Sequence, residues 1–240
     1  ELEMLRGLVA KGVPEQFRRQ VWMECSGALD MAQDEEKRGL VSDQDKEEIE
    51  LDLLRTAAET HPLAQDEHSI DRLRSVLCAY ASLNPDVGYC QGMNKIAFGL
   101  LSAGLDPDDA LALLRCLLDG GILPADLFKP PMLTLQADQL VLEELVSRCL
   151  PELAEHLSVR LEGSVPLAPV TVSWFLTLFA DYLPEPMRLR VWDVLFADGY
   201  EAVFQACLAI LKLCEPTLLH CDTPVAMYTV LQDVRSMMDH

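Results

Sequence analysis

Apolar residues recur along this chain at intervals of three and four, the spacing that gathers side chains on one face of an α-helix. Ile70, Leu73, Leu77 and Tyr80 form one such stripe. Runs that alternate apolar with polar positions, as half-buried strands do, are nearly missing. The pattern predicts further helices over about 1–10, 15–30, 46–59, 91–103, 107–119, 134–149, 152–161, 170–182, 187–197, 200–214 and 224–238. The helix over 107–119 carries its own punctuation: Asp106 suits the cap, Pro107 the first turn, Asp108 and Asp109 the amino end, and Gly120-Gly121 the stop.

The expected fold class is therefore all-α, an irregular multi-helix domain. Helix lengths vary and no spacing repeats, which disfavours a TPR or HEAT array with its period of roughly 34 to 47 residues. At 240 residues the chain suffices for one large domain or two lobes sharing an interface. Pro and Gly cluster at 120–131 and 163–169, and Leu150-Pro151 interrupts the helical pattern. A single domain over 1–240 is expected, with lobes near 1–150 and 151–240. The charged string between residues 33 and 48 reads as a solvated loop.

Composition removes several classes of function. Nineteen Lys and Arg stand against 39 Asp and Glu, a net charge of −20. Such a surface repels phosphate backbones and anionic lipid, so neither a nucleic-acid partner nor direct membrane insertion is expected. No apolar run approaches a membrane span, and the opening Glu1-Leu2-Glu3-Met4 lacks a signal-peptide pattern, so the chain reads as a cytoplasmic piece of something longer. Eight cysteines without a C-x-x-C pair read as reduced, mostly buried thiols. Cys207, Cys214 and Cys221 recur every seven residues beside His220, but no metal site is expected there, and the five histidines fall outside metal-ligand spacings. With no G-x-x-x-x-G-K-[ST], H-E-x-x-H or G-x-S-x-G, no metal or cofactor is expected and the chain is expected to bind no nucleotide unaided.

Three short patterns occur in order: Gly12-Val13-Pro14 with Arg18 and Trp22; Ile49-x-x-Asp52-x-x-Arg55-Thr56; and Tyr89-x-Gln91-Gly92-Met93-Asn94. The first has a plain structural reading, a helix junction with Trp22 filling the core. In the second, Asp52 and Arg55 lie one turn apart on a helix surface, which on its own fits an exposed ion pair worth about 0.2–0.5 kcal/mol. In the third, glycines flank a stretch where Gln91 can be displayed at a helix start or satisfy backbone groups.

Taken together and in this order, the patterns resemble the fingerprint of TBC domains, helical activators of Rab GTPases. A carboxy-terminal stretch extends the resemblance to almost the whole chain: Ser173-Trp174-Phe175-Leu176-Thr177-Leu178-Phe179, then Leu183-Pro184, then Leu189-Arg190-Val191-Trp192-Asp193 and Gly199. The resemblance implies a GTPase-activating role in vesicle trafficking, with Arg55 as an arginine finger and Gln91 as a glutamine finger that orients water. The partner is then a GTP-loaded Rab, which holds the GTP and magnesium. By the same analogy Asp52 orients Arg55, Tyr89 supports the glutamine loop, Arg18 braces the site or, by the larger share, the fold, and Asn94 touches the partner's switch region. Rab substrates are attached to membranes, so a peripheral place at endomembranes is expected to come from the partner or from flanking regions. One departure is visible: Ala57-Ala58 precedes His61-Pro62 where the family often has an aromatic and a proline just after the arginine-threonine pair, which bears on partner choice more than on chemistry. The alternative function is a Rab-binding effector or scaffold that does not raise turnover, and an unrelated helical scaffold ranks last.

Overall fold

A computed structural model of the chain describes residues 2–31, 39–57, 66–160 and 166–238. Its elements, in chain order, are α1 (Leu2–Val9), α2 (Glu15–Ser26), α3 (Ala28–Met31), α4 (Asp43–Ala57), α5 (Glu67–Leu83), α6 (Met93–Ser102), α7 (Pro107–Leu118), α8 (Leu133–Cys149), α9 (Pro151–Glu155) running into a π-turn at His156–Arg160, α10 (Ala168–Thr177), α11 (Glu185–Asp198), α12 (Glu201–Leu218), α13 (Pro224–Gln232) and α14 (Val234–Met238). Among the described residues there is no strand, and the all-α expectation holds.

Local chemistry sets many of the boundaries. Asp106 caps α7 by accepting the Asp109 N–H at 2.9 Å, with Pro107 at the first helical position. Gly27, in left-handed backbone at φ 76°, closes α2 and splits the single helix expected over 15–30. The solvated loop expected between 33 and 48 is corrected in part: α4 begins at Asp43, after Ser42 Oγ accepts the Asp45 N–H at 3.0 Å. The rest of that string around 32–38, the His61-Pro62 departure, and part of the Pro/Gly cluster at 163–169 lie outside the described residues.

Helices α4, α6 and α7 pack on α5, and α2 and α3 join this group through α7. A second group gathers around α12, which contacts α8, α10, α11 and α13. The boundary expected near residue 150 falls between α8 and α9, which pack on each other, so packing places α8 with the carboxy-terminal helices. The two groups meet where α11 packs on α1 and α2, and where α10 packs on α6.

Trp22, Trp174 and Trp192 are fully buried, and Trp22 stacks at 4.9 Å between centroids on Phe196 of α11. At that junction Asp193, 0 % exposed, is neutralised and hydrogen-bonded from several sides. Its Oδ1 accepts from Arg18 Nε at 3.0 Å and Trp22 Nε1 at 2.8 Å, and its Oδ2 from Arg190 Nη1 at 3.3 Å. A buried carboxylate is tolerable only when so partnered. Arg18 also donates to the Val13 carbonyl at 3.0 Å, so it braces the fold across α2 and α11.

All eight cysteines are free. Cys207 and Cys214 share α12, whereas Cys221 lies beyond its end, and no His, Cys, Asp or Glu grouping able to hold a metal occurs among the described residues. Nor is any described helix long and apolar enough to cross a membrane.

Candidate functional site

Helix α4 buries Ile49, Leu53 and Thr56 against the core, which leaves Arg55 on the outer edge. Asp52 sits at the boundary between these faces. Its carboxylate is almost wholly buried, at 6 % exposure, while the Arg55 side chain is 65 % exposed. Asp52 Oδ1 accepts from Arg55 Nη1 at 2.7 Å, and Oδ2 accepts from the Tyr89 hydroxyl at 2.7 Å. The pair is thus more than an exposed ion pair: one end is anchored in the interior and the other presents a cation to solvent. Burial, and then the Asp52 carboxylate, push the Tyr89 phenol well above its ordinary value, which keeps it a neutral donor.

The loop carrying Gln91 is held at both ends. Gly88 and Gly92 both take left-handed backbone, at φ 61° and 106°, where a side chain would be strained. At the first, a Cβ would lie 2.7 Å from Asp45 Oδ1, the same oxygen that accepts the Tyr89 N–H at 2.8 Å. At the second, the Gly92 N–H donates to Asn94 Oδ1 at 3.2 Å. Asn94 Nδ2 then donates to Thr56 Oγ1 at 3.0 Å, and that hydroxyl donates to the Asp52 carbonyl at 2.8 Å. Two hydrogen-bond paths, through Tyr89 and through Asn94, therefore join the loop to the turn of α4 that bears Arg55. Gln91 itself is exposed.

Arg55 and Gln91 line one cleft of about 390 Å³, whose far wall is formed by α10 through Val172, Ser173 and Leu176 and by Asp181 beyond it. Lys95, in the first turn of α6, also lines the cleft and pairs with Asp181 at 3.1 Å. The arrangement offers a movable cation and a side-chain amide at one opening, backed by a fixed internal network. Such a set can stabilise negative charge and position a small polar group, as electrostatic catalysis of phosphoryl transfer requires.

Of the residues singled out in the sequence, the structure brings together Asp52, Arg55, Tyr89, Gln91 and Asn94. Arg18 belongs elsewhere, at Asp193. The partner contact expected of Asn94 is corrected: the residue is 3 % exposed and both ends of its amide are used internally. Asp45 was missed because it stood in a charge run, although Ser42 three residues before it is a capping signal. Lys95 and Asp181, far apart in sequence, gave no signal at all.

The family model described as the Rab-GTPase-TBC domain matches residues 15–219. The chain belongs to this family. TBC domain-containing protein C4G8.04 of Schizosaccharomyces pombe is 37 % identical over 235 residues, covering 95 % of this chain and 30 % of that protein. Small G protein signaling modulator 3 of Homo sapiens is 36 % identical over 246 residues, covering 99 % of this chain and 32 % of its own length. The TBC chain thus spans about a third of these curated relatives. Among solved structures, the Chlamydomonas flagellar RabGAP TBC domain superposes with a TM-score of 0.82 at 28 % identity, covering 98 % of this chain and 80 % of that one. The Ypt/Rab-GAP domain of Gyp1p shares the fold at a TM-score of 0.78 and 19 % identity, covering 97 % and 86 %.

Proposed function

We propose that this TBC domain is a GTPase-activating protein that inserts Arg55 and Gln91 into the nucleotide site of a GTP-loaded Rab and accelerates hydrolysis there. The observation that carries the reading is that the two side chains open onto one cleft while their anchors are tied together through Asp52 and Tyr89. Family membership and the likeness to a flagellar RabGAP domain support the Rab as partner.

The chemistry follows from phosphoryl transfer. Charge spreads over the phosphoryl and leaving oxygens as the bond to the leaving group lengthens, and an in-line water must be oriented. Arg55 supplies the positive charge in trans. Its exposed guanidinium reaches outward while Asp52 limits its directions. Gln91 presents an amide whose carbonyl accepts from the attacking water and whose N–H groups donate to a phosphate oxygen. An arginine delivered in this way accelerates GTP hydrolysis by about 10³ to 10⁵ in Ras-type GTPases. GTP and magnesium belong to the Rab, and the domain contributes no cofactor of its own. Its place is the cytoplasm, peripheral to the endomembranes where its Rab resides, and its action ends the Rab's active period in vesicle trafficking.

Transition-state mimicry tests the reading. A catalyst binds a Rab carrying GDP and aluminium fluoride more tightly than one carrying a non-hydrolysable GTP analogue, and Arg55→Ala removes the difference. Equal affinity for both forms would instead identify a binding module, an effector or scaffold for the GTP-loaded Rab.

A further inference from the structure

The carboxy-terminal motif around Trp192 plays no part in the dual-finger scheme, yet its contacts lead back to the glutamine loop. Gly92 and Gly99 stand seven residues apart, the spacing that puts two positions on the same helix face. Both are pressed from that side by the carboxy-terminal helices. A Cβ on Gly92 would lie 2.6 Å from the Leu176 carbonyl oxygen, and a Cβ on Gly99 would lie 2.5 Å from both the Trp192 ring and Arg188 Nη1. Helix α6, with Gln91 just ahead of its first turn, is therefore clamped near both ends by α10 and α11.

The clamp is stiff. After Thr177 the chain turns through Leu178 and Phe179, two non-glycine residues in left-handed backbone at φ 46° and 65°. Their side chains are at most 1 % exposed, so packing holds a conformation that is otherwise disfavoured. The Leu178 carbonyl accepts the Trp192 indole N–H at 2.9 Å. Trp192 is fully buried, with the Arg188 guanidinium 4.9 Å over its ring, and Arg188 Nη2 donates to Ser102 Oγ at 3.2 Å at the last residue of α6. One side chain thus holds the turn that ends α10, two residues past the Leu176 carbonyl that abuts Gly92, and its ring edge lies against α6 at Gly99.

We propose that Trp192 is a positioning residue for the glutamine finger: through the Leu178 turn and Gly99 it fixes where α6, and with it Gln91, stands relative to Arg55. The inference rests on the GTPase-activating reading and deepens it. It assigns to the carboxy-terminal helices a part in the chemistry performed by the amino-terminal ones.

The test is the double-mutant cycle of Trp192→Phe and Gln91→Ala on a responsive GTP-loaded Rab, with Arg55→Ala alongside. Phenylalanine keeps a ring in the core and removes only the indole N–H and part of the edge. Misplacement of a reacting group by about 1 Å costs up to about 100-fold in rate, so Trp192→Phe is expected to lower kcat by about 10- to 100-fold with KM nearly unchanged. In the Gln91→Ala background it is expected to add little, because the group it positions is gone. Hydrogen exchange of the Tyr89–Met93 amides is expected to quicken in Trp192→Phe while α5 and α7 keep their protection. Gly99→Ala, which forces a methyl between α6 and Trp192, is the second variant and is expected to show the same pattern. Unchanged kcat in folded Trp192→Phe beside an impaired Gln91→Ala, or equal losses with and without Gln91, would overturn this inference alone. Full activity of both Gln91→Ala and Arg55→Ala would overturn the dual-finger reading and this inference with it.

Discussion

Removing the Tyr89 hydroxyl probes the joint on which the site turns. Asp52 has two partners for its carboxylate, and they are unequal. Arg55 is mostly exposed, so water screens that pair and its contribution to stability is about 0.2–1 kcal/mol. Tyr89 meets Asp52 in the interior at 2.7 Å, a hydrogen bond to a charged acceptor whose loss leaves a buried carboxylate oxygen unpartnered. Tyr89→Phe is therefore expected to destabilise the fold by about 2 kcal/mol. In a domain of this size that lowers Tm by about 4–8 °C. The rate should fall as well, by less than in Arg55→Ala, because Asp52 is freed to follow Arg55 and the cation loses its fixed direction. Thermal melts followed by circular dichroism and single-turnover phosphate release read the two effects on the same preparations. A pH dependence adds a second check. The Tyr89 phenol is raised in the fold, first by burial and then by Asp52, above an ordinary value of 10.0. Its contribution is complete below about pH 10 and is lost above it, as the unfolded chain ionises and the folded one does not. The difference in Tm between the natural protein and Tyr89→Phe should narrow above pH 10. A Tm unchanged within about 1 °C at neutral pH, with an unchanged rate, would refute the idea that Tyr89 and Asp52 anchor the finger.

Asn94→Ala should cost about 1–3 kcal/mol in a denaturant melt, since the buried Gly92 N–H loses its acceptor and Thr56 Oγ1 a donor, and should also slow phosphate release by loosening the loop. Arg18→Ala, which uncovers the buried Asp193 carboxylate, should lower stability by about 3 kcal/mol yet leave kcat unchanged wherever the domain is folded. Asp138→Asn should be stabilising at pH 7, because burial raises the Asp138 carboxyl and its ionised form is disfavoured in the fold. That advantage should shrink as pH falls through the folded value toward the ordinary 3.8, where the natural carboxyl is already protonated, and urea melts at several pH values would show it.

Helix ends that rest on local chemistry were legible in the sequence, and those that rest on distant packing were not. The cap at Asp106 and Pro107 defines α7 within a residue of its expected span. Helix α12 instead runs past the expected end at 214 and carries Pro216 inside it, with Leu218 buried as part of the same packed face. Helix α10 stops at Thr177 rather than 182 because Leu178 and Phe179 take left-handed backbone, a choice for which two apolar side chains give no sign. The same division governs the site. Asp52 and Arg55 could be placed on one helix surface from their spacing alone. That Tyr89 completes the Asp52 pair, and that Asn94 turns inward to Thr56, depend on contacts spanning 37 and 38 residues, which no local pattern encodes. Arg18 bonds Asp193 across 175 residues, a contact that exists only where α2 and α11 pack together.

The central claim is catalysis in trans by Arg55 and Gln91, and single-turnover phosphate release from a panel of GTP-loaded Rab proteins tests it most directly. The natural domain should accelerate release from a responsive Rab by about 10³-fold or more. Folded Arg55→Ala and Gln91→Ala should each lose most of that acceleration while still binding the GTP-loaded Rab. Acceleration that survives both substitutions, or measurable binding to a GTP-loaded Rab with no acceleration by the natural domain anywhere in the panel, would contradict the account.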